Sequence, residues 1–124
     1  MKTLLTFVAL LLTVAAQAQS ANASSTPDHH AWIDAQQQEE MLTIRGKFDN
    51  RSAQEASFRY ELVTTKQGTS GNSRSTQAGS FSAQAGKETT LSNVSINVSE
   101  EDTYVIELRI FHDDAIYLED KIVR

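Results

Sequence analysis

The stretch YVIELRIFHDDAIYLEDKI, residues 104–122, decides how the rest of the chain is read. From Tyr104 to Ile110 it places Tyr104, Ile106, Leu108 and Ile110 on one face of an extended chain, and from Ile116 to Ile122 it places Ile116, Leu118 and Ile122 on one face. Successive side chains of a strand point to opposite faces, so apolar residues at a spacing of two mark strands with one buried side. His112-Asp113-Asp114 joins the two runs, and the pair predicts an antiparallel hairpin.

Upstream, the same pattern recurs. Thr89 to Val98 alternates through Leu91, Val94, Ile96 and Val98, with an irregularity between Leu91 and Val94 that suggests a bulge. Ala56 to Thr64 sets Ala56, Phe58, Tyr60 and Leu62 inward and Ser57, Arg59 and Glu61 outward. Met41 to Phe48 sets Leu42, Ile44, Gly46 and Phe48 against Thr43, Arg45 and Lys47, then ends in the turn cluster Asp49-Asn50-Arg51-Ser52. Ala31 to Gln38 alternates too, and is short and polar enough for an edge. Between Gln67 and Ser80 the only apolar side chain is Ala78, with Gly68, Gly71 and Gly79 around it. That stretch is either a long loop or a loop with a polar edge strand near Ser73 to Phe81. No segment has a convincing helical period. The reading is an all-β, immunoglobulin-like antiparallel β-sandwich of about seven strands over residues 31–124, with Ile44, Phe58, Leu62, Leu91, Ile96, Ile106, Leu108 and Leu118 in its core.

Lys2, the apolar stretch Leu4 to Ala15 and the exit Ala16-Gln17-Ala18 read as a signal peptide over residues 1–18, cleaved before Gln19. The apolar run is shorter than the ~20 residues of a membrane span, so no stable membrane insertion is expected after cleavage. Residues 19–30, with Ala as their only apolar content and the sole proline, Pro27, read as a flexible lead-in. Removing Lys2 leaves 10 basic against 16 acidic residues, a balance that argues against nucleic acid and anionic lipid. With no cysteine, neither a disulfide framework nor thiol chemistry is available.

Little in the sequence suggests catalysis. The imidazoles are His29 and His30, in the lead-in, and His112, in a hairpin turn beside Asp113 and Asp114. Adjacent turn residues rarely converge on one ion, so neither a metal nor another cofactor is expected. Glu100-Glu101-Asp102 and Glu119-Asp120 resemble turn and surface charge, and the chain is read as no enzyme. Asn22, Asn50, Asn93 and Asn97 each begin an Asn-x-Ser triplet, which matters only in a eukaryotic secretory route.

The outer face of the predicted strands is more informative. If Ala56 to Thr64, Tyr104 to Ile110 and Ile116 to Ile122 share a sheet, its solvent side carries Arg59, Glu61, Glu107, Arg109, Phe111, Tyr117 and Lys121. This is either an ordinary solvated face or a mixed-charge, partly aromatic platform for an extended client chain.

The tract Lys66 to Phe81, KQGTSGNSRSTQAGSF, followed by Leu91 to Asn97, LSNVSIN, resembles the curli-assembly chaperones of the CsgH type, relatives of CsgC. The likeness rests on a Gly-x-Ser-rich segment closing on Gln77-Ala78-Gly79-Ser80-Phe81, the Leu91-Ser92-Asn93-Val94 strand and the Tyr104 to Ile122 hairpin. It implies a periplasmic immunoglobulin-like monomer that binds a curli-type amyloid subunit and inhibits its premature polymerisation. The Cys-x-Cys pair of the CsgC relatives is missing here, which removes any redox role. The competing class is an exported structural, adhesive or carbohydrate-binding module, for which Trp32, Phe111 and Tyr117 are the candidate platform aromatics. An exported enzyme inhibitor is a third reading that the sequence does not separate from a chaperone.

Overall fold

The computed structural model describes residues 23–69 and 71–124. The signal-peptide segment, 1–18, and the start of the lead-in lie outside the described residues. The elements are β1 (Ser24–Ser25), β2 (His29–Gln38), β3 (Met41–Asn50), β4 (Ala56–Gln67), β5 (Ser73–Ala83), β6 (Glu88–Asn97), β7 (Thr103–His112) and β8 (Ala115–Val123). They form two four-stranded antiparallel sheets, ordered β1-β2-β3-β6 and β5-β4-β7-β8. This two-layer sandwich agrees with the fold read from the sequence, and its strand order is compatible with an immunoglobulin-like sandwich.

The core follows the alternation. Leu42, Ile44 and Phe48 of β3, Leu62 of β4, and Tyr104, Ile106, Leu108 and Ile110 of β7 are buried between the sheets. Phe58 and Leu118 join them, whereas Leu91 and Ile96 lie half-buried at the rim, because their strand β6 ends its sheet. The expected irregularity in β6 is a register shift: Gly46 pairs Ser92 while Lys47 pairs Thr90, leaving Leu91 as the extra residue.

Three readings are corrected. Residues 23–30 are not a bare lead-in: Ser24 and Ser25 pair with Ala31 and His30, and β2 begins at His29. Its amphipathic content was hidden because His29 works as an aromatic. The ring packs 5.5 Å from Phe48, 5.3 Å from Phe58 and 5.7 Å from Tyr117, centroid to centroid.

The hairpin register is the second correction. Asp113 and Asp114 have φ of 50° and 62°, the left-handed pair that a two-residue hairpin turn needs. Ile110 pairs Leu118 but Phe111 pairs Ile116, so Tyr117 is an extra, bulged residue. The bulge turns Tyr117 inward and Ile116 outward, leaving Ile116 54% exposed.

Asp120 is the third. It does not sit on the surface: it is buried, and one carboxylate oxygen accepts the Ile33 N–H at 2.8 Å while the other accepts the Lys121 N–H at 2.9 Å. The first of these bonds ties β8 to β2 across the two sheets.

Between Gln67 and Ser80 the open alternative resolves to the edge strand. β5 pairs along its whole length with β4, from Ser73 opposite Lys66 to Ala83 opposite Ala56. Asn50 ends β3 fully buried, donating to the carbonyls of Gln54 and Ala83 at 2.9 and 3.0 Å and accepting the Ser52 N–H at 3.0 Å. Its amide is thus a structural clamp on the 50–55 turn.

Candidate functional site

Pairing of β5, β4, β7 and β8 lays the outward residues in four cross-strand rows. They are Ser80, Arg59, Phe111, Ile116; Ala78, Glu61, Arg109, Glu119; Thr76, Val63, Glu107, Lys121; and Arg74, Thr65, Val105, Val123. Six of the seven residues singled out in the sequence therefore share this face: Arg59, Glu61, Glu107, Arg109, Phe111 and Lys121. The seventh, Tyr117, does not. The bulge turns its ring onto Phe58, stacked at 5.4 Å and 7°, and its hydroxyl lies 2.7 Å from His29 Nδ1 and 3.2 Å from Thr26 Oγ1. Nothing in the alternation of Ile116, Leu118 and Ile122 betrayed that slip, since a bulge is set by pairing and not by composition.

The charges are arranged in contact. The Arg109 guanidinium reaches Glu61 at 3.4 Å and also pairs with Glu107 on its own strand. Arg59 lies over the Phe111 ring, 4.5 Å from the centroid, and its guanidinium is 3.9 Å from the Asp114 carboxylate. A cation held on an aromatic face keeps its outer side open to a second acceptor. Across the four rows stand four cations, Arg59, Arg74, Arg109 and Lys121, against three carboxylates, Glu61, Glu107 and Glu119. With Asp114, which pairs with Arg59, the carboxylates number four, so on a chain of formal net charge −5 this face is close to neutral.

The turn at its end does not gather a metal-type cluster. His112 Nε2 approaches Asp113 at 3.3 Å, but Asp114 turns to Arg59 instead. Among the described residues, no group of three or more His, Asp or Glu side chains is placed to hold an ion.

Fold and face together define an all-β sandwich that offers a broad, mixed-charge sheet surface. The model of the CsgH protein family matches residues 30–120, and the chain belongs to that family. Among solved structures, the chain is similar to the curli protein CsgC of E. coli, with 24% identity over 72% of this chain and 92% of that one, at a TM-score of 0.61. It is also similar to the solution structure of CsgH from R. palustris, with 23% identity over 77% of this chain and 91% of that one, at a TM-score of 0.60. At these identities the two structures speak for the shared fold. No curated protein sequence matches the chain.

Proposed function

We propose that this protein is an exported, periplasmic chaperone that binds a curli-type amyloid subunit and delays its polymerisation by reversible surface contact, without catalysis, nucleotide, metal or redox chemistry. Membership of the CsgH family supports the curli setting, and the signal-peptide pattern at the N-terminus supports the compartment. The observation that carries the mode of action is the outer face of β4, β7 and β8, where three cations, Arg59, Arg109 and Lys121, balance three carboxylates, Glu61, Glu107 and Glu119, on an otherwise acidic molecule. Arg59 is held by Phe111, and Arg109 by Glu61 and Glu107, so little side-chain entropy is lost when a client carboxylate or amide replaces water. An amyloid subunit crosses the periplasm unfolded and becomes dangerous when strand edges meet and template one another. A weak, steered encounter with a charged face is enough to lower the population of such meetings.

Thioflavin kinetics of a purified curli-type subunit test the assignment. Reversing Arg109 to Glu would set three carboxylates side by side with Glu61 and Glu107, so the neutral double variant Arg59→Gln/Arg109→Gln is the cleaner probe. The wild type lengthens the lag and this variant, with an unchanged circular dichroism spectrum, lengthens it less. Equal delay by both would move the site off this face.

A further inference from the structure

The two open sides of the sandwich differ. On one side β2 and β8 are joined by the bond from the Ile33 N–H to Asp120, and β1 covers the start of the β2 edge. On the other, β5 and β6 end their sheets. The geometry points to a strand-addition site on this second side, in which an extended, low-charge segment pairs with the free edge of β5 and inserts alternate apolar side chains into the seam between β5 and β6.

Exposed edges are normally guarded by charge, proline or a bulge. β6 has its bulge at Leu91, but β5 is 11 residues long, pairs with β4 in one unbroken register, and holds a single charge, Arg74, and no proline. Its backbone groups on the far side are a ready template. The seam beside it is also incompletely filled. The residues of β5 that share the face of the buried β4 side chains are Ser75, Gln77 and Gly79 before Phe81, all polar or without a side chain. Around them Tyr60, Phe81, Leu91, Val94 and Ile96 stay half-buried against the core. Two contacts fix the alignment. Phe81 meets Phe48, the partner of Thr89, at 5.2 Å at one end, and Lys66 Nζ donates to the Asn97 carbonyl at 2.9 Å at the other, so Ser75 to Gly79 runs opposite the Leu91 to Ile96 part of β6. Tyr60 already exploits the lack of a side chain at Gly79, where a Cβ would lie 3.3 Å from its ring.

The occupant follows from this chemistry. Between them β5 and β6 carry only Arg74 and Glu88 as charges, and an unpaired charge buried in an apolar seam is costly, which selects a neutral segment with an apolar residue at every second place. The chain's own N-terminal residues are unsuited, because Ser24 and Ser25 lie beside β2 and β8 on the opposite side. A second copy paired through β5 would offer Ser75, Gln77 and Gly79 to the seam and leave it unfilled. On the chaperone reading, which supplies the natural identity of the occupant, it is a stretch of the amyloid subunit held strand to strand, away from its own kind.

The test uses the mature protein, labelled with 15N, and an 11-residue peptide, matched to β5 in length, in which Val alternates with Ser and Gln. Amide shifts are expected along Ser73–Ala83 and at Leu91, Val94 and Ile96, and a peptide with Asp in place of Val should produce none. Gln77→Lys places an inward charge on the edge and is expected to weaken the peptide about tenfold, or about 1.4 kcal/mol. Ser75→Lys serves the same purpose if Gln77→Lys fails to fold. Shifts confined to the Arg59 and Arg109 face, equal binding of the Asp peptide, or β5 shifts that grow with protein concentration alone would each overturn the site. If the peptide docks on β5 but the curli-type subunit is not delayed, the chaperone reading fails and the site stands. If the subunit is delayed while β5 is silent to subunit and peptide alike, the site fails alone.

Discussion

Leu108 offers the sharpest test of the packing. It is fully buried in the middle of β7, pairs with Leu62 on one side and Asp120 on the other, and points at Gly46 of the opposite sheet. A Cβ built on Gly46 would lie 3.3 Å from Leu108 Cδ1, so the glycine is what makes room for the leucine. In Leu108→Ala the facing residue has no side chain to fold into the gap, and the hydrogen-bonded sheets resist collapse. The cost should therefore lie in the upper part of the ~2–5 kcal/mol range for such truncations, near 4 kcal/mol. With a urea m-value of about 2 kcal/mol/M, the midpoint falls by about 2 M. The corresponding drop in Tm for a domain of this size is roughly 15 to 30 °C. Fluorescence of Trp32, the sole tryptophan, reports urea unfolding, and circular dichroism reports the melt. Ile116→Ala, at a side chain 54% exposed, is the control and should change stability by no more than about 0.5 kcal/mol. A loss below about 1 kcal/mol for Leu108→Ala would refute the packing argument.

Other substitutions probe the features that pairing, not composition, created. Gly68→Ala would bring a Cβ to 2.9 Å from the Asp102 Cα, so this exposed position should cost about 1–3 kcal/mol by urea titration. Asn50→Ala removes four bonds, one each to Gln54 and Ala83 and two to Ser52, and should cost about 4 kcal/mol at ~1 kcal/mol for each lost bond. Tyr117→Phe deletes the hydroxyl between His29 and Thr26, and should cost about 1 kcal/mol and speed amide exchange at Ser24 and Ser25. If charge steers the client, the delay relative to subunit alone should shrink between about 0.1 and 1 M salt, as the screening length falls from about 10 to 3 Å; a salt-independent delay would favour the β5 seam.

The alternation of Leu42, Ile44 and Phe48, and of Tyr104 to Ile110, made the sandwich legible, because a half-buried strand writes its burial directly into its sequence. What stayed hidden depended on partners. Tyr117 and Ile116 exchange faces through one bulged residue, and the alternation around them looks the same with or without it. Asp120 reads as surface charge beside Glu119 until β2 supplies an unpaired N–H for it to accept. His29 sits among residues too polar to suggest a strand, yet its ring completes an aromatic cluster assembled from three other strands. Of the candidate face, Arg59, Glu61, Glu107, Arg109, Phe111 and Lys121 were legible because β4 and β7 keep their period across it and β8 keeps its own from Leu118 onward. The β5 edge was one of two open readings, since a polar strand with three glycines near it has no apolar rhythm to distinguish it from a loop.

Chaperone action is read from the thioflavin lag of a purified, freshly unfolded curli-type subunit, mixed with the wild-type mature protein over a series of ratios, without nucleotide and with chelator present. The lag should lengthen with each addition of the protein, and an unrelated β-sandwich of similar charge should have no such effect. An unchanged lag at every ratio with the cognate subunit would contradict chaperone action.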